Sequence, residues 1–286
     1  MAYLKRLILA FMMLFAFTNA NAESKTFNMV FVPASEKGDE SDYTNLIKIV
    51  ENLTGFEINT IKVTDYNAAV EAMRAGRAHI AWYGGKTYIK AAEIADAEAF
   101  AAGVRPGEKD AGYYAYFVVK KGSKIKKFSD VKGKVLSLNS IGSTSGDLIP
   151  QVELAKINLS TTNKNDFEKV FYAGSHDACL LAVLNNQSDV CGMSSRNFEA
   201  RLADNTFKKE EVRIIHKSDR VPPPPLAFSK RIPLEDRNKI KKAVLEAHIH
   251  GEIGGYGGKM SHYISVKDSD YDVLRNVVDL LKKNKS

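Results

Sequence analysis

The chain has 286 residues, of which 44% are hydrophobic and 26% charged, a balance that excludes a disordered chain and suits one large or two ordinary domains. Its formal net charge is +7, but the lysines are scattered through surface segments such as 120–127 and 282–285. No basic stripe with interleaved aromatics appears, so nucleic acid is excluded as a partner. The only cysteines are Cys179 and Cys191, and with neither a His nor a third Cys at ligand spacing no metal site and no cofactor are expected.

The chain opens with Lys5 and Arg6, an apolar run from Leu7 to Phe17, and the small-residue stretch Thr18-Asn19-Ala20-Asn21-Ala22. That order predicts a cleaved secretory signal peptide over residues 1–22. The apolar run is too short for the ~20 residues a membrane-spanning helix needs. No cysteine follows the cleavage site, so no lipid anchor is expected, and the mature chain is expected to be free in the periplasm from near Glu23. In that oxidising compartment Cys179 and Cys191 are either a disulfide joining a helix to the following strand or two small buried thiols.

Downstream, β-prone runs alternate with amphipathic ones, the pattern of parallel sheets covered by helices. Strands are predicted at Phe27 to Val32, Phe56 to Val63, His79 to Tyr83 and Ala97 to Val104. The helices between them run from Ser41 to Leu53, from Tyr66 to Ala75 with Asp65 as cap, and from Thr87 to Ile94. A new alternation starts after Tyr113 to Val119: strand Val135 to Leu138, helix from Ser143, strand Val170 to Tyr172, helix Ala178 to Leu184, strand Asp189 to Met193. Pro150 predicts a kink or a restart in the helix from Ser143. Pro222 to Pro225 reads as an extended connector. Helices Leu234 to His250 and Tyr271 to Lys282 are too few for a third domain, so the tail is expected to return to the first. The expected fold is therefore α/β and two-lobed, with a first lobe of residues 23–116 and 217–286, a second of 117–216, two crossing segments, and a ligand cleft lined by strand-to-helix turns.

Three of those turns carry chemistry. Ser143-Thr144-Ser145-Gly146 opens a helix directly after a strand, where free backbone N–H groups and hydroxyls suit an anion. Gly174-Ser175-His176-Asp177 offers a donor in His176 beside a carboxylate that can orient it or meet a cation on a ligand. Ala81-Trp82-Tyr83-Gly84-Gly85 combines aromatics with glycines that let backbone approach a ligand. Alternation sends Trp82 and Tyr83 to opposite faces, and Tyr83, nearer the strand end, is the expected cleft residue. Ser35, in the turn after the first strand, and Tyr43 are expected to complete a wall. Asp177 beside His176 is the only close acid–base pair, with no Gly-x-Ser-x-Gly elbow, so no catalytic residues and no enzyme activity are expected.

Taken in order, Asp65-Tyr66, Ile80-Ala81-Trp82-Tyr83-Gly84, Ser143-Thr144-Ser145-Gly146 with Pro150, and Gly174-Ser175-His176-Asp177-Ala178 followed by Leu181-Ala182-Val183 resemble the phosphonate-binding family of periplasmic proteins, which also takes in phosphite and phosphate binders. The resemblance implies the type II binding-protein fold and a protein that passes a small phosphorus oxyanion to the permease subunits of an ABC transporter; the two-lobed architecture by itself leads to the expectation of a monomer. It implies ligand contacts from Ser143, Thr144, Ser145, Tyr83 and His176, with Asp177 on a ligand amine and Tyr43 as an aromatic of the first helix. Two departures stand out. The serine turn lacks the usual preceding Asp-Pro pair, having Asn139-Ser140-Ile141-Gly142. Where aminophosphonate binders carry a second carboxylate, this chain has Ser194-Ser195, which weakens the case for an amine-bearing ligand. The rival readings are a binder of another oxyanion such as phosphate or a sulfonate, and a periplasmic sensory module feeding a membrane receptor.

Overall fold

A computed structural model describes residues 24–36 and 39–283; the predicted signal peptide lies outside them. In the first lobe, strands β1 (Thr26–Phe31), β2 (Glu57–Ile61) and β3 (Ile80–Trp82) alternate with helices α1 (Thr44–Thr54), α2 (Tyr66–Arg74) and α3 (Gly85–Ile94), and β4 (Ala97–Val104) follows. The chain then crosses to β5 (Ala115–Lys120), β6 (Val135–Leu138), a π-helical turn (Thr144–Leu148) that continues as α4 (Ile149–Ala155), and β7 (Lys169–Tyr172). Helix α5 (His176–Leu184), β8 (Val190–Ser194), α6 (Ser195–Ala203) and β9 (Val212–Lys217) complete the second lobe. Finally β10 (Leu226–Ser229), α7 (Leu234–His250), β11 (Ile253–Gly255), β12 (Gly258–Met260), β13 (His262–Ser265) and α8 (Asp272–Lys283) return to the first.

The first sheet has the order β13-β4-β10-β3-β1-β2 and the second β7-β6-β8-β5-β9. β1 runs parallel to β2 and β3, as their helical crossovers require. β10 re-enters from the other lobe and slots antiparallel between β3 and β4. Neither β10 nor β13 is legible as a strand in the sequence, because each is short and held by neighbours far away in the chain. The lobe boundary expected at 116/117 falls inside β5, and the chain crosses over residues 105–114 and 218–225. The two crossing segments pair through Tyr113 and Val221, each backbone N–H donating to the other's carbonyl at 3.2 and 2.8 Å.

Local chemistry explains the elements nearest the cleft. Asp65 caps α2 by accepting from Ala68 N at 2.9 Å, and Ser143 and Ser175 cap their helices in the same way through Gly146 N and Ala178 N. Pro150 sits in the first turn of α4, where its missing N–H costs no helical bond. Before it, Leu148 N reaches back five residues to Ser143 O, the wider π turn. Helix α7 buries Ile240, Ala243, Val244 and Ala247, the spacing of one helical face, and lies against α1. A disulfide joins Cys179 on α5 to Cys191 on β8 with Cα atoms 5.6 Å apart, deciding between the two readings the sequence left open. Among the described residues no helix is long and apolar enough to cross a membrane.

Candidate functional site

The lobes meet along the strand-to-helix turns. Lys86 N, in the first turn of α3, donates to Thr144 Oγ1 at 2.9 Å, and Thr87 Oγ1 donates to Gly142 O at 2.8 Å. The Lys86 ammonium bonds Ile141 O and the Asp147 carboxylate. From the second lobe, His176 N donates to Ala34 O at 3.1 Å, and Asn139 Nδ2 donates to the Tyr66 hydroxyl at 3.2 Å. A Cβ on Gly142 would lie 2.3 Å from Tyr66 Cβ, so only glycine lets the lobes come this close. These contacts describe a closed clamp.

Between the lobes lies a cavity of about 10 Å³ lined by residues of both. The second lobe supplies Ser143, Thr144, Ser145 and His176; the first supplies Val32, Ala34, Tyr66, Trp82, Gly84 and Tyr256, and the crossing segments add Tyr113 and Pro224. That volume is far below the ~300–1,000 Å³ typical of drug-sized ligands, so the closed lobes leave room only for a small occupant.

Three of its lining residues, Ser143, His176 and Trp82, each hold a donor there. Ser143 Oγ accepts from Gly146 N at 3.0 Å and from Asn139 Nδ2 at 3.3 Å, so both lone pairs are used and its proton remains to be given. His176 Nδ1 accepts from Ser194 N at 3.3 Å, which puts the proton of the neutral ring on Nε2. Burial pushes His176 down to about 3, so the ring is neutral at physiological pH and donates without being charged. Gly146 lets that ring lie on the serine turn: a Cβ there would be 2.8 Å from His176 Cε1. The Tyr113 hydroxyl faces Ser145 and Thr144; burial raises its pKa, and the two hydroxyls partly offset the rise. Trp82 is 2% exposed and its Nε1–H is buried with no partner, an unsatisfied donor on the cavity wall. Its ring lies 4.6 Å from that of Tyr256.

Ser143, Thr144, Ser145 and His176 thus come together as expected, while four other expected residues sit elsewhere. Tyr83 points away from the cavity: its hydroxyl donates to Ala69 O at 3.2 Å under α2, and Trp82 takes the cleft side. Alternation held, but the face was read the wrong way round. Tyr43 stands behind the wall, with its ring 5.0 Å from Phe31 and 6.1 Å from Trp82 and its hydroxyl accepting from Tyr256 N. Ser35 is half-buried one residue beyond the lining Ala34. Asp177 is turned out of the cavity; Oδ2 accepts from Glu36 N at 3.0 Å, and Oδ1 lies 3.6 Å from Arg201 Nε. The sequence reading missed Trp82, Tyr113 and Tyr256 as lining residues. Tyr256 lies in the glycine-rich segment 254–262, which folds as the β11–β12 hairpin and the start of β13. Its isolated aromatic among glycines was the signal available.

Two lobes joined by two crossing segments and closed over a donor-lined cavity define a type II substrate-binding protein. The family described as the periplasmic substrate-binding protein of phosphonate ABC transporters matches residues 29–271. The chain belongs to that family, whose members bind solutes and are not enzymes. It is 28% identical over 228 residues to the phosphonates-binding periplasmic protein of Escherichia coli, covering 78% of this chain and 66% of that one. It is 25% identical over 287 residues to the phosphate-import protein PhnD of Mycolicibacterium smegmatis, covering 94% of this chain and 89% of that one. The PhnD1 structure from Prochlorococcus marinus in complex with methylphosphonate superposes with a TM-score of 0.78 at 19% identity, over 91% of this chain and 99% of that one. At that identity the likeness concerns the fold.

Proposed function

We propose that this chain captures a small phosphonate or phosphite dianion that carries no amine, and hands it to the permease subunits of an ABC transporter. The observation that carries the reading is the lining of the cavity between the lobes: hydroxyls, a neutral His and an indole N–H, with no Asp or Glu among the lining residues. Once its second proton is lost, a phosphonate or phosphite presents acceptors only, the complement of such a wall. An ammonium group would meet donors, and the acid expected to receive it, Asp177, is engaged by Glu36 N–H and faces Arg201. Hydrogen phosphate keeps one P–OH, which meets no carboxylate here. Val32, Ala34 and Pro224 offer an apolar side to a P–H or P–CH₃ group. The names of the Escherichia coli relative and of the methylphosphonate-bound Prochlorococcus structure support the same ligand class.

In this reading Ser143, Thr144, Ser145 and His176 grip the anion on the second lobe, and Trp82, Tyr66 and Tyr256 close over it from the first. Ligand binding shifts the population toward the closed clamp, which the transporter reads. The protein acts as a monomer, free in the periplasm after signal cleavage.

Titration calorimetry tests this on mature protein unfolded and refolded to strip carried-over ligand. Methylphosphonate or phosphite should bind at micromolar strength or tighter, about 8 kcal/mol or more. 2-Aminoethylphosphonate and phosphate should bind at least about tenfold more weakly, the cost of roughly one unmatched buried donor. Tight 2-aminoethylphosphonate binding would overturn the amine-free reading, and silence toward every phosphorus ligand would overturn the ligand class.

A further inference from the structure

Arg196, the second residue of α6 in the second lobe, is 2% exposed. Its guanidinium donates from Nη2 to Ala111 O at 2.7 Å and Gly103 O at 3.2 Å, in the crossing segment and in β4 of the first lobe. Its Nε is buried without a hydrogen-bond partner. Among the described residues it forms no ion pair within 4.0 Å, whereas the neighbouring cations Arg105, Arg201 and Arg220 all do. The charges that reach it at longer range oppose one another: Glu108 favours the guanidinium and Arg105 disfavours it. Glu108 itself lies 3.9 Å from Arg220. Toward the cavity, the guanidinium carbon of Arg196 lies 5.9 Å from the ring centroid of Tyr113, whose hydroxyl faces Thr144 and Ser145.

Two neutral carbonyls do not compensate a buried cation, so closing the lobes over Arg196 without an anion nearby is costly. Opening separates α6 from Gly103 and Ala111 and returns the guanidinium to water. A dianion in the cavity, one tyrosine ring away, supplies the missing charge in a medium where screening is weak. We propose that Arg196 is the counter-charge that makes closure of the clamp depend on a doubly charged ligand. It acts as a positioning residue that never touches the ligand, and the inference rests on the reading of the cavity as an anion site. It predicts selectivity by charge between ligands of one shape: methylphosphonate, a dianion above its second pKa, over methanesulfonate, a monoanion.

The test compares the methylphosphonate-to-methanesulfonate affinity ratio, measured by calorimetry and competition near pH ~9, well above the second pKa of the phosphonate, where the dianion dominates. Relative to wild type, R196Q, which keeps an N–H donor and loses the charge, should lower the ratio at least about tenfold, and R196K should hold it within about threefold. A ratio unchanged in R196Q, or lowered equally in both variants, overturns the proposal and leaves a hydrogen-bond staple. Should R196Q fail to fold, X-ray scattering of the stripped wild-type protein decides. Compaction by methylphosphonate but not by saturating methanesulfonate supports the proposal, and equal compaction by both overturns it. If wild-type protein binds no phosphorus ligand at all, the ligand reading fails first, and that result is visible before any variant is compared.

Discussion

The two lobes meet the cavity with opposite chemistry. The second contributes a serine-rich turn and a neutral histidine, each with a proton to give, while the first contributes Val32, Ala34 and the packed, tilted rings of Trp82 and Tyr256. One face recognises charge; the other removes water and thereby strengthens the hydrogen bonds of the first. The division also fits the order of events in a clamp, since an anion can dock on an open polar turn before the aromatic wall arrives.

The largest effect should come from the polar face. Replacing Ser143, Thr144 and Ser145 by Ala together removes several charge-assisted hydrogen bonds of about 1.5–3 kcal/mol each, so methylphosphonate binding should fall beyond detection by calorimetry. Circular dichroism should show an intact fold, and retained affinity would remove this turn from the site. Closure itself is probed next by Gly142→Ala, which adds no charge and removes no donor. The new Cβ collides with Tyr66 only when the lobes meet. Affinity should drop by about 2 kcal/mol or more, in the range of overpacking costs, with the melting temperature of the ligand-free protein little changed.

Trp82→Phe keeps the ring and deletes the unpaired Nε1–H. If that donor serves the ligand, affinity should fall about tenfold, the worth of one hydrogen bond to a charged group, while stability holds or rises. Unchanged affinity would make the first lobe's wall purely apolar. The smallest effect is on stability and needs its sign worked out. His176 stays neutral in the folded state down to about pH 3 and takes up its proton near 6.5 when unfolded. Between those values the unfolded state binds more protons, so the stability of the closed form falls as pH drops, by about 1.4 kcal/mol per unit from this group. Urea titrations at about pH 7 and pH 5 should therefore show wild type losing about 2 kcal/mol more than His176→Gln.

Much of the second-lobe site was legible because it is local. A serine turn between a strand and a helix, and a His at a helix start, place themselves at the cleft by connectivity alone. Helix α7 and strand β4 were also read, with the bounds the structure shows, Leu234–His250 and Ala97–Val104. The first-lobe wall was not legible, because its members come from β1, β3, a crossing segment and the tail hairpin, and their meeting depends on how distant segments pair. The choice between Trp82 and Tyr83 shows the limit: period 2 dictates that they part, but which one enters the cleft is set by the register of β3 against β1 and β10.

By itself, then, the amino-acid order determined the α/β alternation, the two-lobed plan and the serine turn at the cleft, since each follows from periodicity, capping and short connections. Only the tertiary structure decided that Asp177 faces Arg201 and is turned out of the cavity, that Cys179 bonds Cys191, and that Arg196 is enclosed between the lobes with no ion-pair partner among the described residues. Those are matters of desolvation and long-range contact, which depend on what surrounds a side chain once the chain has folded.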